Sequence, residues 1–139
     1  MNSVISELAS NVSIGLATAL SPGNLLYCAI GVSIGTLAGI IPGIGALTTM
    51  SLLLPLTYHL DPTAAIVMLA GIWYGTTYGG STASILLNLP GTPSTAVTAI
   101  EGFPMAQNGR ASVALFMTTI ASFFGASVGI ILMMLFSPL

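Results

Sequence analysis

Apolar residues run through most of this chain in long stretches that neither alternate with polar ones nor end in charge. Residues 3–20 repeat apolar positions at helical spacing. Val4, Leu8, Val12, Leu16 and Leu20 fall on one side with Ile5 and Ala19, while Glu7, Ser10, Asn11 and Thr18 gather on the other. The pattern predicts an amphipathic helix at a membrane interface or a short first span. Ser21-Pro22-Gly23-Asn24 breaks it. A span follows from Asn24 to Ile41 with Gly31, Gly35 and Gly39 four residues apart, and Gly43 continues the spacing. Residues four apart share a helix face, so another helix can approach closely along this ladder. Pro42-Gly43-Ile44-Gly45 interrupts the helix, and an apolar piece from Ala46 to Leu56 completes a broken span over 24–56.

The second half repeats the plan. Asp61-Pro62 is a helix start, since Asp can cap free N–H groups and Pro suits the first turn. The helix carries a second ladder, Gly71, Gly75 and Gly79, and continues past a bend at Gly79-Gly80-Ser81 to Leu89. Pro90-Gly91-Thr92-Pro93-Ser94 is another hard break; Thr92 can cap and Pro93 can open a short helix to about Ile100, giving a broken span over 62–100. Glu101 to Arg110 reads as a polar loop, and 111–136 as a final span with Gly125 and Gly129.

Composition turns these helices into membrane helices. The chain is 55% hydrophobic and 3% charged, whereas a soluble domain carries about 25% charged residues. Glu7, Asp61, Glu101 and Arg110 are all the charges there are, and the stretches from Glu7 to Asp61, from Pro62 to Ile100 and from Ala111 to Leu139 each exceed the ~20 apolar residues that cross a bilayer. A barrel of strands would alternate apolar and polar residues, and Ser51-Leu52-Leu53-Leu54 and Ile130 to Leu135 do not. The expected fold is all-α: a polytopic transmembrane helix bundle, set in a lipid bilayer, with two Pro-Gly-interrupted helical segments, re-entrant or broken. Cys28 alone allows no disulfide and reads as a small buried hydrophobe. Residues 1–10 lack the positive start of a cleavable leader. The net charge of −2 says little about partners, and no nucleic-acid partner is expected of a chain with one basic residue.

The two breaks carry the candidate chemistry. Pro42-Gly43-Ile44-Gly45-Ala46-Leu47-Thr48-Thr49 and Pro90-Gly91-Thr92-Pro93-Ser94-Thr95-Ala96-Val97 both open with Pro-Gly and place a helix breaker fourth. A small residue and a hydroxyl-bearing helix follow. Irregular backbone at membrane depth persists only where protein or a watery cavity satisfies it, and paired interrupted segments point to a transport site. A helix starting inside the membrane aims free N–H groups and the positive end of its dipole at one spot, which suits a carboxylate. Thr48, Thr49, Thr92, Ser94 and Thr95 can add hydroxyls, and free carbonyls there can coordinate a cation such as Na⁺. Pro and Gly also merely kink and pack membrane helices, and the glycine ladders read as packing.

Other polar residues have plainer readings. His59 and Asp61 suggest a proton relay, but their place beside a helix start favours capping and solvation. Glu101 and Arg110 mark a solvated loop, weakly cytoplasmic by Arg110. Tyr27, Tyr58, Trp73, Tyr74 and Tyr78 are interfacial anchors or cavity walls. Gly79-Gly80-Ser81 lacks the closing glycine of a nucleophile turn, and no nucleophile–base or metal-ligand set is recognisable, so no enzyme is expected.

The run GTLAGIIPGIGALTTMSLLLPL, Gly35 to Leu56, resembles the first signature of the large membrane subunit of tripartite tricarboxylate transporters, the TctA family. WYGTTYGGSTASILLNLPGTPSTAVTAIEGFPMAQNGRA, Trp73 to Ala111, resembles its second and most distinctive one. With Asn24-Leu25-Leu26-Tyr27 and the final span, the resemblance covers nearly the whole chain. It implies the N-terminal part of a secondary active transporter of tricarboxylates or related small carboxylates in the bacterial inner membrane. It also implies a periplasmic solute-binding protein, a small four-helix membrane subunit and coupling to Na⁺ or protons, with no further cofactor. By position, the substrate or ion loops would be Pro42, Gly43, Gly45, Thr48 and Thr49 at the first break. At the second they would be Asn88, Pro90, Gly91, Thr92, Pro93, Ser94 and Thr95. Family members are several times longer, so a fragment or truncated product is expected. The competing reading is an assembly subunit or non-transporting relic that binds other helices through its glycine ladders.

Overall fold

The computed structural model describes residues 2–136. The side chains of Val4, Ile5 and Leu8, cited above for the amphipathic pattern, lie outside the described residues, as do Ser137-Pro138-Leu139. The described chain is an all-α bundle of six helices: α1 (Asn2–Ala19), α2 (Pro22–Ile40), α3 (Ala46–Thr57), α4 (Pro62–Leu87), α5 (Pro93–Met105) and α6 (Ala111–Phe136). Two helical stretches are long and apolar enough to cross a membrane, Pro22–Ile40 and Pro93–Phe136. The second is divided at Asn108-Gly109, where Gly109 takes φ 76° and ends the helical path.

The seam between α2 and α4 is the centre of the fold. Gly31, Gly35 and Gly39 lie against the backbone of Met68, Ile72 and Thr76, while Gly71, Gly75 and Gly79 lie against that of Cys28, Val32 and Thr36. Each ladder fills the gap left by the other. Because partners rise together in number, α2 and α4 are parallel. Without a hydrophobic drive between helices in lipid, such backbone-to-backbone packing is what holds membrane helices together.

The same register makes α4 the buried axis. Ile72, Ser84 and Ile85 are fully covered, and Met68, Thr76 and Ala83 nearly so. Its buried hydroxyls are satisfied within the helix, Thr76 Oγ1 donating to Ile72 O at 2.6 Å and Ser84 Oγ to Gly80 O at 2.8 Å. This is how a helix of Gly, Ser and Thr survives in an apolar setting.

From the end of α2 the chain turns and α3 returns alongside α4. The helix continues through Pro55 to Thr57 instead of stopping at the proline. Thr57 Oγ1 donates to Leu54 O at 2.8 Å and Tyr58 N to Pro55 O at 3.4 Å, closing the last turn. Asp61 is the N-cap residue of α4 and Pro62 opens the helix, but the carboxylate makes no capping hydrogen bond; the Asp61 carbonyl accepts from Ala65 N at 2.9 Å instead. The expected capping by its side chain is therefore not seen.

α5 starts low beside α4, with Thr95 near Gly80, and rises parallel to it until Gly102 meets Ile85. It runs to Met105, with Pro104 inside its last turn, so the segment after Ile100 is mostly helix and the connection to α6 is short. Then α6 descends antiparallel, with Ala114 buried and Thr119 Oγ1 lying 3.3 Å from the Tyr78 hydroxyl. The Thr119 hydroxyl shares its proton between Leu115 O at 2.8 Å and the Tyr78 phenol oxygen, which accepts. α1 is joined at a corner where Asn24 Nδ2 donates to Thr18 O at 2.8 Å. Its described side chains, Val12 and Leu16 included, are exposed.

Candidate functional site

Both Pro-Gly breaks fall beside the middle of α4. At the first, α2 ends at Ile40, and Ile41 N donates to Ala38 O at 3.1 Å. Pro42 has no N–H for the next free carbonyl, and Gly43 turns the chain at φ 89°. Gly45 precedes α3 in an extended conformation and, being glycine, supplies no capping side chain. The N–H groups of Ala46, Leu47 and Thr48 consequently lack a hydrogen-bond partner among the described residues. Thr49 turns inward, buried, with its hydroxyl donating to Gly45 O at 3.1 Å.

At the second break, Asn88 ends α4 at φ 55°, a left-handed conformation that Asn tolerates better than other residues with a Cβ. Leu89 to Thr92 then run back along α4. Thr92 and Thr95 form a capping box: Thr92 Oγ1 accepts from Thr95 N at 3.4 Å, and Thr92 N donates to Thr95 Oγ1 at 3.0 Å. Thr95 is buried and also donates to Thr92 O at 2.9 Å. Ser94 faces outward with its hydroxyl 3.0 Å from that of Thr92. Pro93 brings no N–H that would need a partner.

The breaks meet. A cavity of about 430 Å³ is lined from the first by Gly43, Gly45 and Thr48, with Ala46 and Leu47. Gly91, Thr92 and Ser94 line it from the second, and Trp73 and Thr77 bound it on the α4 side, leaving it open to one side. α4 is 26 residues long, about 39 Å, and Trp73 to Gly80 lie about 17–27 Å along it, near its middle. A cavity of a few hundred Å³ matches small-ligand sites. Two helix N-termini, those of α3 and α5, open onto it, and no Asp, Glu, Lys or Arg lines it.

Of the other sequence candidates, Pro42, Thr49, Asn88, Pro90, Pro93 and Thr95 stand outside the lining. Thr49 and Thr95 sit behind it as buried supports, and Asn88 terminates a helix. Ala46 belongs to the first break as read from the sequence; Leu47 and Thr77 line the cavity without standing out there. Thr77 is one hydroxyl among many on α4, and its spacing of four from Trp73, whose carbonyl it bonds at 3.0 Å, was the available signal. Trp73, left between anchor and wall, is a wall.

Ser81 and His59 do not form a catalytic pair. Ser81 lies about 19 residues, roughly 28 Å, along α4, with its hydroxyl on Thr77 O at 3.0 Å. His59 precedes the start of that helix and is exposed.

Residues 25–139 match the family described as "Tripartite tricarboxylate transporter TctA family". The chain belongs to that family. Both breaks lie within the matched residues. A curated relative from Agrobacterium vitis, an uncharacterized 52.8 kDa protein in the TAR-I ttuC' 3' region, is 48% identical over 132 residues. The match covers 95% of this chain and 26% of the relative, so the chain spans about a quarter of that protein's length. No solved structure matches.

Proposed function

We propose that these residues form part of a secondary active transporter subunit that moves tricarboxylates or related small carboxylates across the bacterial inner membrane. The cavity between the breaks would contribute to its substrate site. The observation that carries this reading is the meeting of both interrupted segments at one cavity, beside the uncapped N-terminus of α3. Three free N–H groups and a helix dipole attract an anion there without a buried Lys or Arg, and the hydroxyls of Thr48, Thr92 and Ser94 add donors. Free carbonyls at the end of α2 offer ligands to a coupling Na⁺; coupling to protons is the other form. A periplasmic solute-binding protein and a small membrane subunit complete the assembly in this reading.

Two of the ladders that the assembly-only alternative would use, Gly31–Gly39 and Gly71–Gly79, already face each other within the chain, which leaves it Gly125 and Gly129 on α6, with nothing packed against them among the described residues.

Trp73 is the chain's one tryptophan, and it lines the cavity, so its fluorescence reports occupancy directly. Citrate and succinate titrated into protein in lipid nanodiscs should shift its emission saturably, while chloride should not. Thr48→Val and Ser94→Ala together should weaken citrate binding by about tenfold or more, the loss of two hydrogen bonds to an ionised group. An emission that no carboxylate changes would sink the reading.

A further inference from the structure

We propose that Trp73 is a specificity-determining residue: its indole limits how far a ligand in the open-sided cavity between the two breaks can extend toward α4. The inference rests on the carboxylate reading for the ligand's chemistry, but the steric argument comes from the lining alone.

Most of the lining residues are Gly, Ala, Ser or Thr, and only Leu47 and Trp73 are large. A wall of small residues is mostly backbone. It can neither swing aside for a bulky ligand nor close around a small one. Leu47 stands on the first turn of α3 and is 71% exposed, whereas Trp73 is 45% exposed and belongs to α4. The indole is therefore the largest body projecting into the space from the best-fixed helix.

That fixation is specific. Gly71 and Gly75 flank Trp73 in sequence and lie against α2; a Cβ on Gly71 would come within 2.8 Å of the Cys28 carbonyl, and one on Gly75 would overlap that of Val32. Helix α4 can therefore neither rotate nor slide against α2 without backbone collision. Two residues on from Gly71, about 200° around the helix, Trp73 points away from that seam and toward the cavity side. Thr77, one turn further, bonds the Trp73 carbonyl at 3.0 Å and continues the same wall. The backbone beneath the indole does not yield, so on the α4 side only the indole's own rotation could enlarge the space.

The test has two arms, both on the full chain in nanodiscs. In the first, Ser94→Cys is introduced with Cys28→Ala, and the thiol is exposed to two anionic methanethiosulfonates, one small and one with a rigid aromatic disulfonate. The small reagent should modify the cysteine whether or not Trp73 is present. The bulky one should react about tenfold or more faster once Trp73→Ala is added, in the range that a small change of pocket volume commands. Trp73→Phe should fall between. Equal rates for the bulky reagent with and without the indole, or no reaction of the small reagent in either, overturn the size limit.

In the second arm, calorimetric titration compares succinate with benzene-1,3,5-tricarboxylate. Trp73→Ala should improve the aromatic ligand relative to succinate by about tenfold or more. A change common to both ligands would mark the residue as merely structural and overturn its role in specificity. Wild-type protein that binds neither carboxylate defeats the carboxylate reading, and with it the specificity role, even where graded thiol modification holds. The two failures are thus read separately.

Discussion

Adjacent glycines in the middle of α4 should respond oppositely to the same methyl group. A Cβ on Gly79 would overlap the Thr36 carbonyl oxygen and sit 3.1 Å from both the Cα and the carbonyl carbon of Gly39. All three atoms are α2 backbone, so relief requires the helices to separate. Restoring ordinary contact needs a shift of about 1 Å, which forfeits a quarter to a half of the dispersion well along the seam. Overpacking of this kind costs about 1–3 kcal/mol, occasionally more, against about 0.8–1 kcal/mol returned by replacing Gly with Ala inside a helix. With the upper end of that cost, Gly79→Ala should lose about 2 kcal/mol net. On Gly80 the nearest atom to an added Cβ is the Thr95 methyl at 3.4 Å, which is ordinary contact. Gly80→Ala should therefore be neutral or more stable by up to about 1 kcal/mol. The two variants should differ by about 3 kcal/mol, more than a hundredfold in the folding equilibrium. Equilibrium unfolding in bicelles, followed by helical ellipticity, measures both. If Gly79→Ala proves as stable as Gly80→Ala within about 0.5 kcal/mol, ordinary surface additivity explains it and the interlocked-ladder account is wrong.

Thr95→Val keeps the shape of the residue but leaves the Thr92 N–H and carbonyl without their hydroxyl partner; it should cost about 1–3 kcal/mol and speed amide exchange at Thr92. Asn88→Gly should stabilise the chain by a few tenths to 1 kcal/mol and Asn88→Val destabilise it by about 1–2 kcal/mol, from the left-handed backbone alone. Neither Asn88 variant should alter the citrate response of Trp73 fluorescence, because Asn88 lies outside the cavity. Tyr78→Phe removes the phenol's bond to Thr119 and should cost about 0.6–1.7 kcal/mol, read as earlier unfolding with the α2–α4 seam intact by disulfide trapping between those helices.

The sequence made some of this legible and hid the rest for physical reasons. The α2–α4 seam was visible because Gly31 to Gly39 and Gly71 to Gly79 share one spacing, and only close helix packing asks for that. Their parallel direction was not, since a ladder reads the same from either end. The breaks announced themselves through proline and glycine, whose effect on a helix is local. Their meeting depends on how far α4 overruns the end of α2 and on where residues 88–92 return, which are tertiary quantities. Asn88 adjoins a break, which is what marks it in the sequence; its φ of 55°, by which it ends α4 outside the cavity lining, is a backbone property that the sequence does not show. The length of the loop before α6 was overestimated although Asn108-Gly109 is a strong local turn signal; the charges of Glu101 and Arg110 drew attention to the flanks instead.

Two breaks that look alike in sequence are unlike in structure, and the difference assigns them different work. Both follow a parallel helix, so both present the start of a new helix at one height. At α5 the incoming residue is Thr92, whose hydroxyl and N–H are engaged reciprocally by Thr95, and Pro93 removes the next donor. That end keeps a single unpartnered donor among the described residues, Ser94 N–H, and its hydroxyls are held in fixed positions. At α3 the incoming residue is Gly45, which has no side chain to give, and the next three N–H groups are left for something else. An unfilled N-terminus in a low-dielectric setting carries a penalty that water or an anion must relieve. In the proposed site, then, the charge of a carboxylate belongs at α3, while α5 supplies a rigid wall of hydroxyls that judges shape. Replacing Gly45 by Ser would supply the missing cap; it should stabilise α3 by about a few tenths of a kcal/mol and weaken citrate binding in the fluorescence titration. A stabilised chain that binds citrate as before would move the anion away from α3.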